Sequence, residues 1–205
     1  MFKSVPVFLA LSAVIYCAAT QPSSAGVIPI SPVISDPATG HSYQLLSNAN
    51  WADSEAEAEA LGGHLATIGN QEQQNFLLDV FGGYGGQQHL LWIGLYDPTQ
   101  QINAANPADN YLWVSGAPIT YTNWDSGEPN NAFGTEFWVA MYYPNFHNPG
   151  AWNDWSNQTL DPIGIPFNGV VEFVPEPASI TTAVVLAVGG LLAYRGRGSS
   201  TTRTQ

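Results

Sequence analysis

The peptide Glu128-Pro129-Asn130, followed by Glu136 and then by Trp152-Asn153-Asp154, is the stretch from which the fold of this chain can be read. Its side chains supply carboxylate and amide oxygens, and no basic residue lies near it. Calcium is a hard cation that takes roughly 6 to 8 oxygen ligands, mixing carboxylates with amide and backbone carbonyls. Metals that prefer thiolate or imidazole are poorly served, because the region has no cysteine and His147 has no partner at ligand spacing. The residues therefore predict a calcium site.

This arrangement resembles the calcium-dependent sugar site of C-type lectin domains, where a Glu-Pro-Asn peptide, a later glutamate and a Trp-Asn-Asp triplet hold calcium. Other motifs of that family follow in its order through residues 40–174. They are Trp51-Ala-Asp-Ser-Glu-Ala, Leu61-Gly-Gly-His-Leu-Ala-Thr-Ile68, Asn70 to Phe76, Trp92-Ile-Gly-Leu95 and Tyr121-Thr-Asn-Trp124. The resemblance implies an α+β fold with two helices, short antiparallel sheets and long calcium-binding loops.

The resemblance also assigns the site residues. Both the metal ligands and the carbohydrate-binding residues would be Glu128, Asn130, Glu136, Asn153 and Asp154. In the family, two neighbouring sugar hydroxyls join the calcium shell, while carboxylates accept and asparagine amides donate hydrogen bonds to them. The order Glu-Pro-Asn resembles that of mannose, glucose or fucose binders, and it implies a cis peptide bond between Glu128 and Pro129. Taken singly, Glu136 could be an ordinary loop acid, and Asn153-Asp154 could be a turn.

Two departures from the family pattern bear on stability and on the metal count. The places of the usual disulfide cysteines are taken by Ala58, Trp138, Asn157 and Val171. Since a native disulfide typically contributes about 2 to 4 kcal/mol, aromatic packing and calcium must stabilise this domain instead. A second calcium site, seen in some relatives, would need an acid where Asn131 and Phe137 stand. Asp97 cannot hold that ion alone, so we expect one calcium ion.

Charge is distributed unevenly along the 205 residues, whose net charge is −12. The basic residues are Lys3, Arg195, Arg197 and Arg203, all of them near the ends. Between Ser4 and Tyr194 there are 16 acidic residues and no lysine or arginine. Such a domain repels phosphate backbones, which excludes nucleic acid as a partner. The acidic field attracts divalent cations, so we expect removal of calcium to cost stability.

The first residues are typical of a secretory signal peptide. Lys3 precedes an apolar run from Val5 to Ala19 and then small residues up to Ala25, so residues 1–25 are assigned to the signal. The stretch from Gln21 to Gly40 is rich in Pro, Ser and Gly and has no hydrophobic period. It predicts a spacer over residues 26–39, before a domain over residues 40–174.

The last segment, residues 175–205, indicates sorting at a membrane. Val174-Pro-Glu-Pro177 precedes an uncharged stretch over 178–194, just long enough to span a bilayer, and Arg195-Gly-Arg197 follows it. This pattern resembles the PEP-CTERM sorting signal of bacteria that make extracellular polysaccharide, in which an exosortase, a transpeptidase-like membrane enzyme, cleaves near the motif. A permanent membrane anchor and a buried terminal helix are the alternatives. The sorting signal and the permanent anchor both place the domain outside the cytoplasm, at the cell surface or secreted.

Local signals predict the elements of the domain. A first strand covers Tyr43 to Leu46, and a helix capped by Asp53 runs to Leu61, with the acids at 55, 57 and 59 on a solvated face. Asn70 caps a second helix, with Gln73 reaching back. Short buried strands follow at Leu90 to Leu95, Phe137 to Tyr142 and Gly169 to Phe173.

Aromatic residues fall into two groups. Trp92, Trp113 and Trp124 resemble the packing residues of the family, so we expect them in the core. Tyr142, Tyr143, Phe146 and His147 lie in a lengthened segment near the predicted calcium loop. An aromatic ring there could stack on a sugar, or the segment could form a rigid lid.

The function favoured by these observations is calcium-dependent carbohydrate binding by an exported bacterial protein. The alternative is a structural or adhesive protein of the same fold that binds protein or matrix, with calcium only ordering the loops. Enzymatic activity is not expected, because the sequence has no Ser-His-Asp order, no Gly-rich phosphate loop and no zinc spacing.

Overall fold

The computed structural model describes residues 26–101 and 107–175 of the chain. The helices are α1 (Trp51–Ala60) and α2 (Gln71–Phe81). The strands are β1 (Ile34–Ser35), β2 (Ser42–Asn48), β3 (His64–Leu65), β4 (Leu90–Tyr96), β5 (Leu112–Trp113), β6 (Trp138–Met141), β7 (Trp152–Trp155) and β8 (Phe167–Phe173). The predicted signal peptide, and the predicted membrane-spanning stretch at 178–194, lie outside the described residues. Within the described ranges, no helix is long and apolar enough to cross a membrane.

The strands form one sheet, and this differs from the several short antiparallel sheets that were expected. Its main path runs β1-β2-β8-β4-β6-β7, with β3 added on β8 and β5 on β4. Seven described strand pairings make the sheet, and the pair of β4 with β8 is parallel. Strand β8, the last described strand, lies between β2 and β4. The sheet is mixed because β8 is antiparallel to β2 and parallel to β4. The α+β fold class is confirmed.

Local sequence signals explain both helices, with one correction. The side chain of Asn70 accepts a hydrogen bond from the backbone N–H of Gln73 at 2.9 Å, so Asn70 caps α2 as predicted. The cap of α1 is Asn50, whose side chain accepts from the N–H of Asp53 at 2.8 Å. The prediction that Asp53 is the cap is therefore wrong. Asparagine and aspartate cap equally well, and only the backbone path shows which of them precedes the first turn.

The prediction that the acids of α1 lie on a solvated face is confirmed for Glu59, which is exposed, and wrong for the other two. Glu55 and Glu57 are only 8% and 6% exposed. Glu55 accepts the backbone N–H of Leu65 at 2.8 Å, and its other oxygen lies 2.7 Å from the Nδ1 atom of His64. Burial raises the pKa of Glu55, and the hydrogen bonds from His64 and Leu65 partly offset that rise. Residue type alone predicts that these two carboxylates are exposed, whereas the packing around α1 buries them.

Aromatic side chains fill the core. Trp92 is fully buried on β4, and its ring stacks on Phe167 with the ring centres 4.2 Å apart. Trp113 is 3% exposed, whereas Trp124 is only partly buried but packs against the same core. The expectation that these three tryptophans pack in the core is confirmed. Ala58 and Val171, two of the positions where the family has cysteines, are both fully buried in one hydrophobic cluster.

The segment before residue 40 belongs to the domain, so the prediction of a spacer over residues 26–39 is wrong. Strand β1 pairs antiparallel with β2, and Ile30 donates its backbone N–H to the carbonyl of Leu45 at 2.8 Å. Val27 is 6% exposed and packs with Leu46. The sequence does not predict strand β1, because its two residues are too few to show a hydrophobic period.

Candidate functional site

Strand β7, at one edge of the sheet, anchors the region that holds the predicted ligands. Its first residue, Trp152, is fully buried, and its indole Nε1–H donates to the Oε1 atom of Gln74 at 2.7 Å. On its other side, Trp152 pairs with the segment before the Glu-Pro-Asn peptide. Its N–H donates to the carbonyl of Asn123 at 2.7 Å, and its carbonyl accepts from the N–H of Asp125 at 2.8 Å. Two distant parts of the sequence thereby become neighbours.

Asp154 lies at the centre of the site and is fully buried. Its Oδ1 atom accepts the backbone N–H of Asn130 at 3.1 Å, and its Oδ2 atom accepts that of Asn131 at 2.8 Å. The hydroxyl of Tyr111 donates to Oδ2 at 3.3 Å. One carboxylate on β7 therefore fixes the backbone of the loop that follows Pro129. Tyr111 was not predicted, because a tyrosine in a polar loop carries no local signal of its partner.

Glu136 is positioned by its own loop. Its Oε2 atom accepts the N–H of Ala132 at 2.9 Å, and its backbone N–H donates to the Oδ1 atom of Asn131 at 3.0 Å. These two hydrogen bonds close the loop between residues 131 and 136. One oxygen of the Glu136 carboxylate accepts a hydrogen bond within this loop. The side-chain oxygen of Asn131 is used within the loop.

Glu128 precedes a cis peptide bond, as predicted for Glu128-Pro129. Its backbone N–H donates to the carbonyl of Asp125 at 3.0 Å. The Oε2 atom of Glu128 and the Oδ1 atom of Asn153 are both buried, and neither has a hydrogen-bond partner. Buried polar atoms are rarely left without a partner unless a water, an ion or a ligand satisfies them. Both unpaired atoms are oxygens, and oxygen is what calcium requires of its ligands.

Burial and neighbouring acidic side chains raise the pKa values of Glu128 and Glu136, as expected where no cationic side chain neutralises them. Burial, together with the hydrogen-bonded contact with Asp154 and the charges of Asp154 and Glu136, raises the pKa of Glu128 from 4.5 to about 7. Burial and the charge of Asp154 raise the pKa of Glu136 from 4.5 to about 7, although the N–H of Ala132 opposes the rise. Three carboxylates lie close together, and the sequence between Ser4 and Tyr194 has no lysine or arginine to neutralise them. The residues present therefore fit a divalent cation.

The structure brings the predicted residues together to different degrees. Glu128 and Asp154 share a side-chain hydrogen bond, and Glu136 is close enough for its charge to act on Glu128. Asn130 joins them through its backbone, while its side chain is exposed. The side chain of Asn153 forms a hydrogen bond with the hydroxyl of Tyr142. Burial and the neighbouring acids raise the pKa of that tyrosine far above its ordinary value.

The lengthened segment near the site forms a packed lid for the most part. Tyr142 and Tyr143 are each 6% exposed, and Phe146 stacks on Tyr142 with ring centres 4.0 Å apart. These rings contact one another and leave little surface for a ligand. His147 is exposed, and its Nε2 atom lies 2.9 Å from Asp125. The aromatic ring that is open to solvent beside the site is instead Phe133, which was not predicted.

Acidic side chains also occur at two places outside this site. Asp97 accepts both the N–H and the hydroxyl of Thr99, each at 2.7 Å, so its carboxylate is engaged within its own turn. A separate group of Glu55, Glu59 and His64 on α1 and β3 brings potential ligand atoms within 4.8 Å of one another. The atoms of Glu55 in that group already have partners.

Comparisons with known proteins agree with this architecture. Residues 47–163, more than half of the chain, match the family model described as the Lectin C-type domain. Snaclec EMS16 subunit alpha from Echis multisquamatus is 31% identical over 124 residues, 59% of this chain and 71% of that protein. C-type lectin domain family 4 member G from Mus musculus is 30% identical over 108 residues, 53% of this chain. The match spans only 32% of that longer protein.

A solved structure shows the same fold. The cow C-type carbohydrate-recognition domain of CD23, crystallised in the presence of the oligosaccharide GlcNAc2Man3, superposes with a TM-score of 0.51 at 25% identity. The superposition covers 67% of this chain and 90% of that domain.

Proposed function

Because this chain belongs to the C-type lectin domain family, we propose that it binds carbohydrate in a calcium-dependent manner. Calcium and sugar would share five residues, namely Glu128, Asn130, Glu136, Asn153 and Asp154. The observation that carries the proposal is the pair of buried, unpartnered oxygens on Glu128 and Asn153 beside two further carboxylates. These five residues form a single group of ligands, which can hold one calcium ion.

The five residues fall into three chemical roles. When bound, calcium supplies positive charge and leaves coordination positions that oxygen atoms of a ligand can fill. Asp154 holds the loop backbone through two N–H groups, so it orients the neighbouring ligands. The carboxylates of Glu128 and Glu136 accept hydrogen bonds from hydroxyl groups, and the amides of Asn130 and Asn153 donate them. A sugar with two adjacent hydroxyls matches this alternation of acceptors and donors.

The order of residues in the Glu-Pro-Asn peptide supports ligands of the mannose, glucose or fucose type. A change to Gln-Pro-Asp would exchange an acceptor for a donor at one position and a donor for an acceptor at the other. The CD23 domain, whose structure was determined in the presence of the oligosaccharide GlcNAc2Man3, has the same fold. This supports a carbohydrate as the ligand class, whereas catalysis is not expected of a C-type lectin domain.

The cellular setting follows from the two ends of the sequence. An export signal over residues 1–25 and a PEP-CTERM-like segment over residues 175–205 support a bacterial protein at the cell surface or outside the cell. An exosortase-type enzyme would process the second segment, and residues 178–194 would hold the protein in the membrane before cleavage. The natural glycan would then be an extracellular polysaccharide.

The proposal is tested by passing the purified protein over immobilised mannose and immobilised galactose, first with calcium and then with a chelator. We expect retention on mannose that the chelator abolishes. Glu136→Gln keeps an oxygen acceptor for Ala132 but loses the charge, so calcium and sugar binding should both fall by at least tenfold. Asp79→Asn removes an exposed charge on α2 and should change neither.

Two results would contradict the proposal. Unchanged calcium affinity in Glu136→Gln would refute the ligand assignment. If the folded wild-type protein binds calcium but passes through both columns, the adhesive alternative, with protein or matrix as partner, would replace the sugar-binding function.

A further inference from the structure

Phe133 is an unusual residue on this surface. Its side chain is 99% exposed, more than the other large hydrophobic residues described. Its backbone has φ 60° and ψ 7°, the left-handed region that glycine adopts readily and bulky side chains rarely do. Single exposed hydrophobic residues are common on protein surfaces and need no explanation by themselves. Among the residues described, however, no other large hydrophobic combines high exposure with a positive φ.

Packing gives no reason for a phenylalanine at this position, because a fully exposed ring buries no surface. Glycine would suit the backbone better, and Gly134 follows with φ 70°. Unfavourable backbone conformations in native proteins concentrate at functional sites, where the surrounding structure holds them in place. The observed outlier therefore suggests that this side chain has a function.

The loop that carries Phe133 is tied to the candidate site on both sides. The preceding residue, Ala132, donates its N–H to the Oε2 atom of Glu136 at 2.9 Å. The following residue, Gly134, donates its N–H to the carbonyl of Asn131 at 2.9 Å. The backbone of Asn131 is in turn held by Asp154. The ring is therefore presented at a defined place next to the carboxylates and is not at the end of a free loop.

The small area of this ring and the negative charge of the domain limit the class of partner that can bind here. A protein interface of ordinary size buries about 800 Å² on each side, far more than one phenyl ring provides. The acidic domain, without lysine or arginine, repels anionic membranes and anionic glycans. A neutral sugar ring has an apolar C–H face of about the size of a phenyl ring, and such a face can stack on it.

We propose that Phe133 stacks on a second sugar ring of a bound oligosaccharide, so that the site prefers extended glycans to monosaccharides. The inference rests on the proposed function. The unpartnered oxygens of Glu128 and Asn153 are buried, so a sugar held there lies against the protein. The side chain of Phe133, by contrast, projects almost entirely into solvent. A glycan of two or more rings can place one ring on the buried oxygens and another on the phenyl ring.

Calorimetric titration of the full protein in saturating calcium, with mannose and with mannotriose as ligands, tests the proposal. We expect mannotriose to bind about five- to tenfold more tightly than mannose. Phe133→Ala should abolish this preference without altering calcium affinity or mannose affinity, and Phe133→Trp should keep it. Val33→Ala, which removes an exposed side chain next to β1 at the opposite edge of the sheet from β7, serves as the control.

A stability measurement separates a binding role from a structural one. Phe133→Gly relieves the left-handed strain, so its thermal midpoint should not fall, while the preference for mannotriose is lost. The inference is overturned if Phe133→Ala retains the preference, or if it weakens mannose and mannotriose equally. If the wild-type protein binds neither sugar in calcium, the proposed function itself fails, and this result is distinct from loss of the preference alone.

Discussion

Because the carboxylates of the site lie close together, we expect the calcium-free protein to lose stability as the pH rises from 5 to 8. The pKa values of Glu128 and Glu136 are raised to about 7 in the folded protein, whereas both groups ionise near 4.5 when the chain unfolds. A raised carboxyl pKa favours folding at pH values below the unfolded pKa. That contribution is lost as the pH rises through the folded pKa. The calcium-free protein should therefore be more stable at pH 5 than at pH 8.

The size of the effect follows from the same residues. Both carboxylates retain some contact with water, which screens their repulsion, so we expect them to lower the unfolding free energy by about 2 kcal/mol together. For a domain of this size, that corresponds to a fall of about 4 to 8 °C in the melting temperature. Calcium at a hundred times its dissociation constant should restore about 2.7 kcal/mol at pH 8.

The assay is thermal and urea unfolding in chelator across pH 5 to 8, repeated with calcium. Burial also raises the pKa of Glu55, which contributes in the same direction. The informative quantity is therefore the difference between the wild-type protein and the double variant Glu128→Gln, Glu136→Gln. This variant should flatten the profile, whereas Asp79→Asn, at an exposed site, should not. If the double variant and the wild-type protein lose stability equally between pH 5 and 8, the electrostatic interpretation of this site is refuted.

Two predictions concern the scaffold. Gln74→Ala removes the acceptor of the Trp152 indole N–H and a donor to the carbonyl of Gly150, so urea unfolding should show a loss of about 2 to 3 kcal/mol; a loss below about 0.5 kcal/mol would mean that water replaces the amide. Asn50→Ala should cost about 1 kcal/mol by removal of the cap of α1, while Asn50→Ser should cost little, and equal losses in the two variants would contradict the capping role.

Much of the candidate site was accessible from the sequence because its residues are chemically specific. The spacing of Glu128, Glu136 and Asp154 predicted a group of oxygen ligands, and the structure places these carboxylates within interaction range. Asn70 at the start of α2 and the cis bond before Pro129 are likewise confirmed. These residues are recognised by their type and by their place in the family pattern, so they can be predicted without knowledge of the fold.

Other features depended on contacts between distant parts of the chain. Tyr111 donates to Asp154 across 43 positions, and Glu55 is buried because β3 passes beside α1. The short strand β1 exists only because β2 offers it a partner. No local pattern distinguishes these residues from exposed ones, since burial and hydrogen-bond partners are set by the packing of separate elements.

The sequence by itself determined the family, the oxygen-rich character of the site and the lack of basic neighbours for its carboxylates. Only the tertiary structure decided which oxygens are left without partners and which aromatic ring faces the solvent. Residue type and spacing fix what a side chain can bind. Whether Tyr142 is covered while Phe133 is open depends on how β6, β7 and their loops pack, because exposure is a property of the whole fold.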